Sequence, residues 1–209
     1  MIVFTIREYK PKDINGIIDV YKSAFAEPPW NEFKKCSCCG INYSTEESKG
    51  IDILKCKKCN NEVTLIEYWS KEEIIKDLEN ALSKDKNIIL IAEIRSIIVG
   101  FTWGYEIDTK KEFPFLEGEV AKPTNYMDEI AVIGNMRQRG IAKVLGLEYL
   151  KICRRQGIKD STLRTDERNS ASMALFYNLG FRSIINYSSR QAIYDPEYLN
   201  RIYLRMEIK

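Results

Sequence analysis

The sequence contains no histidine. That absence removes Ser-His-Asp and Cys-His nucleophile systems, His-ligated zinc catalysis and the His-containing zinc fingers. Acid–base chemistry is left to Glu, Asp, Tyr, Cys or Lys, and a zinc site would have to be built chiefly from the six cysteines. A charge surplus is missing as well: 32 Lys and Arg against 30 Asp and Glu give a formal net charge of +2. So close a balance gives no reason to expect sequence-blind binding to nucleic acid or to an anionic membrane. Long apolar runs are also lacking. The most apolar stretch, residues 87–103, is interrupted by Glu93 and Arg95, which argues against a membrane span. The first ten residues, MIVFTIREYK, carry Arg7 and Glu8 and lack a signal peptide's apolar region. The chain therefore reads as cytoplasmic, where thiols stay reduced and clustered cysteines suggest a metal rather than disulfides.

What is present is a soluble globular pattern: 209 residues, 44% hydrophobic and 30% charged, enough for one large domain or two small ones. A β-branched strand is expected at residues 2–7. Asp13 is expected to cap a helix with Ile14, Ile17, Ile18, Tyr21, Ala24 and Phe25 at helical spacing, which Pro28-Pro29 stops. Ser70 and Glu73 form a capping box for a helix with Ile74, Ile75, Leu78 and Leu82 inward. Strands are expected at 87–95, 97–107, 125–133, 160–165, 182–193 and 201–208, and helices at 140–156 and 170–179. Residues 108–123 read as loop. Helices and strands alternate irregularly, which gives a mixed α/β (α+β) class.

The first chemistry lies where the strand containing Ile130, Ala131 and Val132 leads through Gly134 and Arg137-Gln138-Arg139-Gly140 into the helix opened by Ile141, Ala142 and Lys143. Amides at such a junction point outward together, and the helix dipole favours negative charge, so the turn is an anion site. Gly140 and Ala142 let a pyrophosphate approach the main chain, and Arg137 and Arg139 add charge at the rim. Downstream, 27 residues after Ala142, comes Asn169-Ser-Ala-Ser-Met-Ala-Leu-Phe-Tyr177-Asn-Leu-Gly180-Phe181.

These two segments resemble the motifs of the GNAT superfamily of acyl-CoA-dependent N-acetyltransferases. The family's phosphate loop, Gln/Arg-x-x-Gly-x-Gly/Ala, is met by Arg137, Gly140 and Ala142. Its later motif, Asn-x-x-Ala-x-x-Leu-Tyr-x-x-x-Gly-Phe, is matched at Asn169, Gly180 and Phe181, with Tyr177 taken as its tyrosine. Phe25-x-x-Pro-Pro-Trp-Asn-Glu32 also looks like the first helix–loop of many members. The resemblance covers the chain except about residues 34–68. It implies a GNAT acyl-CoA N-acyltransferase fold over 1–209: a twisted mixed sheet whose central parallel strands splay to admit the cofactor. It further implies acetyl-CoA with its pyrophosphate on the amides of 137–143, its pantetheine along Ile130–Val132 and Asn169 beside it. The activity implied is direct acetyl transfer, in a ternary complex, to a primary amine on a small molecule or a protein.

With no histidine the base has to be a carboxylate. Strand alternation sends Asp128 and Glu129 to opposite faces, and core-facing Ile130 and Val132 favour Glu129 for the cleft. A bulge in this strand would promote Asp128 or Tyr126 instead. The resemblance makes Tyr177 the acid, because a phenol with a free pKa of about 10 stays protonated. Trp30, Phe33, Trp103, Tyr105 and Tyr126 are candidates to line an acceptor pocket or to belong to the core. Two other functions compete: a catalytically silent CoA sensor or partner-binding module, and a nucleic-acid-binding adaptor that the charge balance disfavours.

Residues 34–68 break the pattern. Cys36-Ser-Cys38-Cys39-Gly and Cys56-Lys-Lys-Cys59 form two Cys-x-x-Cys knuckles with 16 residues between Cys39 and Cys56. That spacing reads as a four-thiolate zinc ribbon with ligands Cys36, Cys39, Cys56 and Cys59 and with Cys38 spare. A closed site of this kind is structural. Short hairpin strands are expected at 51–54 and 63–66, and the remaining Cys153 reads as an inert buried thiol. Four thiolates and one Zn²⁺ would bring the formal charge from +2 to zero.

Overall fold

The computed structural model describes residues 3–51 and 53–209. A seven-stranded sheet runs in the order β1-β6-β7-β8-β9-β11-β10. Its strands are β1 (Thr5–Glu8), β6 (Ile88–Ile94), β7 (Ile97–Ile107), β8 (Thr124–Val132), β9 (Asp160–Asp166), β10 (Arg182–Ser183) and β11 (Arg201–Glu207). All pairs are antiparallel except β8 with β9. Helices α1 (Ile14–Phe25) and α3 (Lys71–Ser83) cover one face, burying Ile17, Tyr21, Ile74 and Leu78 against Phe101, Trp103 and Tyr105. Helices α5 (Ile141–Arg155) and α6 (Ser170–Leu179) cover the other, with Leu145, Tyr149 and Phe176 against Leu90, Val99 and Leu163. Each helix follows from an apolar stripe at helical spacing.

Local signals decide the boundaries. Glu73 N–H donates to Ser70 Oγ (3.1 Å) and Ser70 N–H to Glu73 Oε2 (2.7 Å), closing the capping box that opens α3. Gly180 at φ +104° ends α6. Four expectations need correction. Asp13 precedes α1 but does not cap it through its side chain; its carboxylate instead accepts from Arg7 at 2.6 and 2.9 Å. Leu82 is 40% exposed, and Ala81 takes the inward position because the stripe drifts round the helix. Segment 182–193 is not one strand: only Arg182–Ser183 pairs with β11, and an isolated Ile185–Ala192 bridge closes a loop. Within 108–123 a short α4 (Thr109–Glu112) and a 3₁₀ turn (Pro114–Leu116) replace pure loop. Ile2, at the start of the first expected strand, and Asp52 lie outside the described residues.

The cysteine-rich segment is a separate four-stranded sheet, β3-β2-β5-β4. It is made of β2 (Lys34–Cys36), β3 (Asn42–Tyr43), β4 (Ile53–Lys55) and β5 (Glu62–Glu67), with a one-turn α2 (Thr45–Ser48). The two expected hairpin strands are the β4–β5 pair. Its core is small: Cys36, Tyr43, Cys56, Val63 and Leu65.

Candidate active site

Two irregularities of the large sheet build the site. The first is a divergence. The strands β8 and β9 pair only at Thr124–Asp160, Asn125–Ser161 and Tyr126–Thr162, and beyond Tyr126 they part. The freed stretch of β8 ends in Ile130, Ala131 and Val132, which line a cleft of about 700 Å³. The opposite walls are Asn169, Ser172 and Asn178 around α6, and Phe25 at the end of α1 with Trp30 after it. The floor is the loop into α5. There Gln138 (φ +59°) and Gly140 (φ +82°) turn the chain left-handed on either side of Arg139. Among the described residues the amides of Arg139 to Lys143 have no backbone partner, so they aim out of the helix N-terminus as an anion cradle. Arg137 closes the rim by donating to the Ala24 carbonyl of α1 (2.8 Å).

The second irregularity is a bulge. Trp103 of β7 faces Glu129, whereas the next residue, Gly104, faces Met127, so Asp128 is the extra residue. A bulge residue escapes alternation, and both carboxylates turn to the α1 side. Glu129 Oε1 lies 3.4 Å from the Tyr21 hydroxyl, and Asp128 Oδ2 accepts from Trp103 Nε1 (3.4 Å) and Tyr105 Oη (3.3 Å). The expectation of opposite faces is therefore corrected. Glu129 does keep the face opposite Ile130 and Val132. Both carboxylates are half-buried. Desolvation by the aromatic walls and the Asp128 charge push Glu129 well above the usual carboxylate range, and desolvation also raises Asp128. Tyr126 is buried against Phe113 and Tyr105, with its titration driven far up by burial, so it is no base.

Residues 55–181 match the model of the acetyltransferase (GNAT) family. The chain belongs to that family. Solved structures agree in fold. PaiA N-acetyltransferase from Thermoplasma acidophilum, in complex with coenzyme A, is 18% identical with a TM-score of 0.61, covering 99% of both chains. The ribosomal-protein-S18-alanine N-acetyltransferase of Escherichia coli is 14% identical (TM-score 0.58, 99% of this chain and 95% of that one). YncA of Salmonella typhimurium with acetyl-CoA is 13% identical (TM-score 0.60, 99% and 94%). A search of curated proteins gave no match.

For a GNAT enzyme the expected cofactor set is largely brought together. Ile130, Ala131, Val132, Arg137, Gln138, Gly140, Ile141, Ala142, Lys143 and Asn169 line the one cleft. Arg139 does not; it is exposed and donates to the Asn135 carbonyl (3.4 Å). Asn169 also caps α6, accepting from Ser172 N–H (3.1 Å). Tyr177 requires correction. It is 42% exposed, stacks under Arg182 and is absent from the cleft lining. The motif places its tyrosine four residues before the glycine, which in this chain is Phe176, buried in the core. One residue on a helix is about 100° of rotation, so Tyr177 is turned about 100° or more from Asn178 and Ala171, which do line the cleft.

Sequence reasoning missed the groups around the carboxylates. Tyr21 read only as a core position of α1. Trp69 donates its indole N–H to Glu32 (2.8 Å) and meets Tyr21 edge-on at 5.6 Å. Of the aromatic candidates, Trp103, Tyr105 and Tyr126 are core, whereas Trp30 lines the cleft.

The sulfurs of Cys36, Cys39, Cys56 and Cys59 lie within 4.8 Å of one another. Thiolates on a tetrahedral zinc stand about 3.8 Å apart, and the Cys39 and Cys56 sulfurs are 3.6 Å apart. Cys38 and Cys39 N–H groups aim at Cys36 Sγ (3.3 and 3.4 Å), and Lys58 N–H at Cys56 Sγ (3.4 Å), as thiolate acceptors require. Cys38 is exposed and outside the cluster, and Cys153 is buried with its thiol pushed up to about 12 by desolvation. Among the described residues no helix is long and apolar enough to cross a membrane.

Proposed function

We propose that this GNAT enzyme transfers an acetyl group from acetyl-CoA directly to a primary amine in a ternary complex. The observation that carries the reading is the pair of carboxylates that the bulge sets on β8 directly before Ile130, the first cleft-lining residue of the strand, where β8 has parted from β9. The amides of Arg139–Lys143 and the Arg137 rim suit a pyrophosphate, and the edge of β8 at Ile130–Val132 that β9 leaves uncovered suits an amide-bearing pantetheine arm. Acetyl-CoA would supply the activated acyl group.

Asp128 and Glu129 act as one coupled base, whose apparent pKa belongs to the pair. Their raised titration makes them stronger bases than an ordinary exposed carboxylate. An acceptor ammonium gives one proton to the dyad, the freed nitrogen attacks the thioester carbonyl, a C–N bond forms and the C–S bond breaks. The nitrogen's second proton goes to the departing thiolate, so two protons leave nitrogen: one ends on sulfur and one on the dyad, which releases it to solvent. With a thiol pKa of about 8.5, that thiolate leaves without help from Tyr177.

We further propose that Cys36, Cys39, Cys56 and Cys59 hold a structural Zn²⁺ that closes the ribbon formed by residues 34–68. The donor set fits, and four thiolates leave no open position. Incubation with acetyl-CoA and a panel of amines, followed by mass spectrometry, should give N-acetylated product and free CoA in equal amounts. CoA binding with no product from any amine would overturn the reading in favour of a CoA sensor.

A further inference from the structure

The carbonyl of Ala24, in the last turn of α1, has lost its helical donor. The residue four places on is Pro28, which has no N–H. Among the described residues no backbone amide takes that place. The Arg137 guanidinium does: Nη2 donates to the Ala24 carbonyl (2.8 Å) and Nε to the Val132 carbonyl at the end of β8 (3.4 Å). Ala24, Val132 and Arg137 all line the cleft. One side chain of the phosphate loop therefore ties two of its walls together.

The tied end of α1 carries the rest of its wall. Phe25 follows Ala24 and meets the Trp30 ring at 6.1 Å. The turn between them is closed by Glu32 N–H to the Phe25 carbonyl (2.8 Å) and Asn31 N–H to the Glu27 carbonyl (3.1 Å). One turn earlier on the same helix, Tyr21 reaches Glu129 (3.4 Å). The guanidinium itself is exposed, and among the described residues no carboxylate pairs with it. Two carbonyls leave some of its N–H groups unused and its charge uncompensated. It stands two residues before the unpartnered amides of Arg139–Lys143. A planar guanidinium can hold a carbonyl and a phosphate oxygen at once.

We propose that Arg137 is a positioning residue that couples the two sides of the cleft. An anion on the cradle orders the guanidinium, and the guanidinium orders the end of α1 with Phe25 and Trp30. The assignment rests on the reading that puts a cofactor pyrophosphate on those amides. Without an anion the tie to Ala24 is an exposed contact that opens readily. With one, opening the tie also costs the phosphate contact, so cofactor binding sets the wall that carries Tyr21 and leads to the carboxylate pair. By reciprocity, a ligand that seats on that wall tightens CoA.

Hydrogen exchange across residues 22–33 reads the coupling, with CoA and inorganic pyrophosphate as probes. In the wild type each should slow exchange there about tenfold, the scale of one charge-assisted hydrogen bond. Arg137→Ala at saturating CoA should lose that slowing while the amides of 139–143 stay protected. Arg137→Lys keeps the charge without the fork and should recover part of it. In turnover at saturating CoA, Arg137→Ala should act on acceptor KM more than on kcat. Equal slowing by CoA in wild type and Arg137→Ala, or a wild-type wall indifferent to bound CoA, would overturn the coupling. Slowing by pyrophosphate that Arg137→Ala abolishes, in a protein that fails to bind CoA, would uphold the coupling and overturn the cofactor reading instead.

Discussion

Replacing Gly104 by alanine should disable the enzyme by overpacking the strand pair that makes the bulge. Gly104 is buried in β7 opposite Met127. An added Cβ would lie 2.0 Å from Tyr149 Oη, 2.2 Å from the Tyr126 carbonyl oxygen and 2.9 Å from Met127 Cα. Two of those neighbours are β8 backbone, which cannot swing aside. The third donates the 2.6 Å hydrogen bond that holds Asn125, whose Nδ2 is already buried without a partner. Overpacking costs about 1–3 kcal/mol and more where backbone has to move. Loosening a buried hydrogen bond adds about 1–3 kcal/mol. A loss of roughly 3–6 kcal/mol lowers Tm by about 10 °C or more in a domain of this size. The shift in β8 also displaces Asp128 and Glu129, so kcat should fall about 100-fold, a misplacement of the order that costs two decades. Gly134→Ala is the control, since its Cβ would meet nothing within 4 Å. Calorimetry and acetylation assays on both variants decide. A Gly104→Ala protein that melts within about 2 °C of wild type and turns over normally would refute the bulge as the device that pairs the two carboxylates.

Three further outcomes are expected. Glu129→Gln should lose most of kcat yet melt no lower than wild type at neutral pH. A carboxyl raised on folding contributes stability below its unfolded pKa and loses it as pH rises through the folded one, so the variant's relative stability grows with pH. Wild-type kcat/KM should rise with pH over the same range, and a variant less stable at pH 8 than at pH 5 relative to wild type would contradict this. Metal analysis should find one zinc per chain. Its removal by a chelator should open the ribbon, whose five-residue core cannot sustain it, seen as proteolysis within 34–68. Because Asn42 of β3 donates to the Trp30 carbonyl (3.4 Å), acceptor KM should rise while CoA affinity holds. Equal loss of both would contradict that division. Tyr177→Phe should leave kcat within about twofold, because the ring is 42% exposed and stacks with Arg182 on the surface, whereas Phe176→Ala should cost about 3–5 kcal/mol of stability from the core. A large kcat loss in Tyr177→Phe with unchanged CoA affinity would restore its acid role.

Features encoded over a few neighbouring residues were legible in the sequence. The limits of β7 and α6, the Ser70–Glu73 capping box, the glycine stop at Gly180, the amide-lined turn before α5 and the two cysteine knuckles all depend on local periodicity, caps and spacing. These also sufficed for the family and for most of the cofactor side of the cleft. Interactions across long sequence separations were not legible. The side to which Asp128 turns is set by Gly104 slipping one place against Met127, a pairing that strand alternation alone reverses. The side to which Tyr177 turns is set by which helix position docks on the sheet, and Phe176 won that place by burial. The short pairing of β8 with β9, and the meeting of Glu129 from β8 with Tyr21 from α1, exist only once the sheet is assembled. Sequence by itself determined the absence of histidine, the restriction of acid–base groups to Glu, Asp, Tyr, Cys and Lys, and the spacing of the cysteines. Tertiary structure alone decided which carboxylates meet, because a bulge and a splay are agreements between strands rather than properties of one.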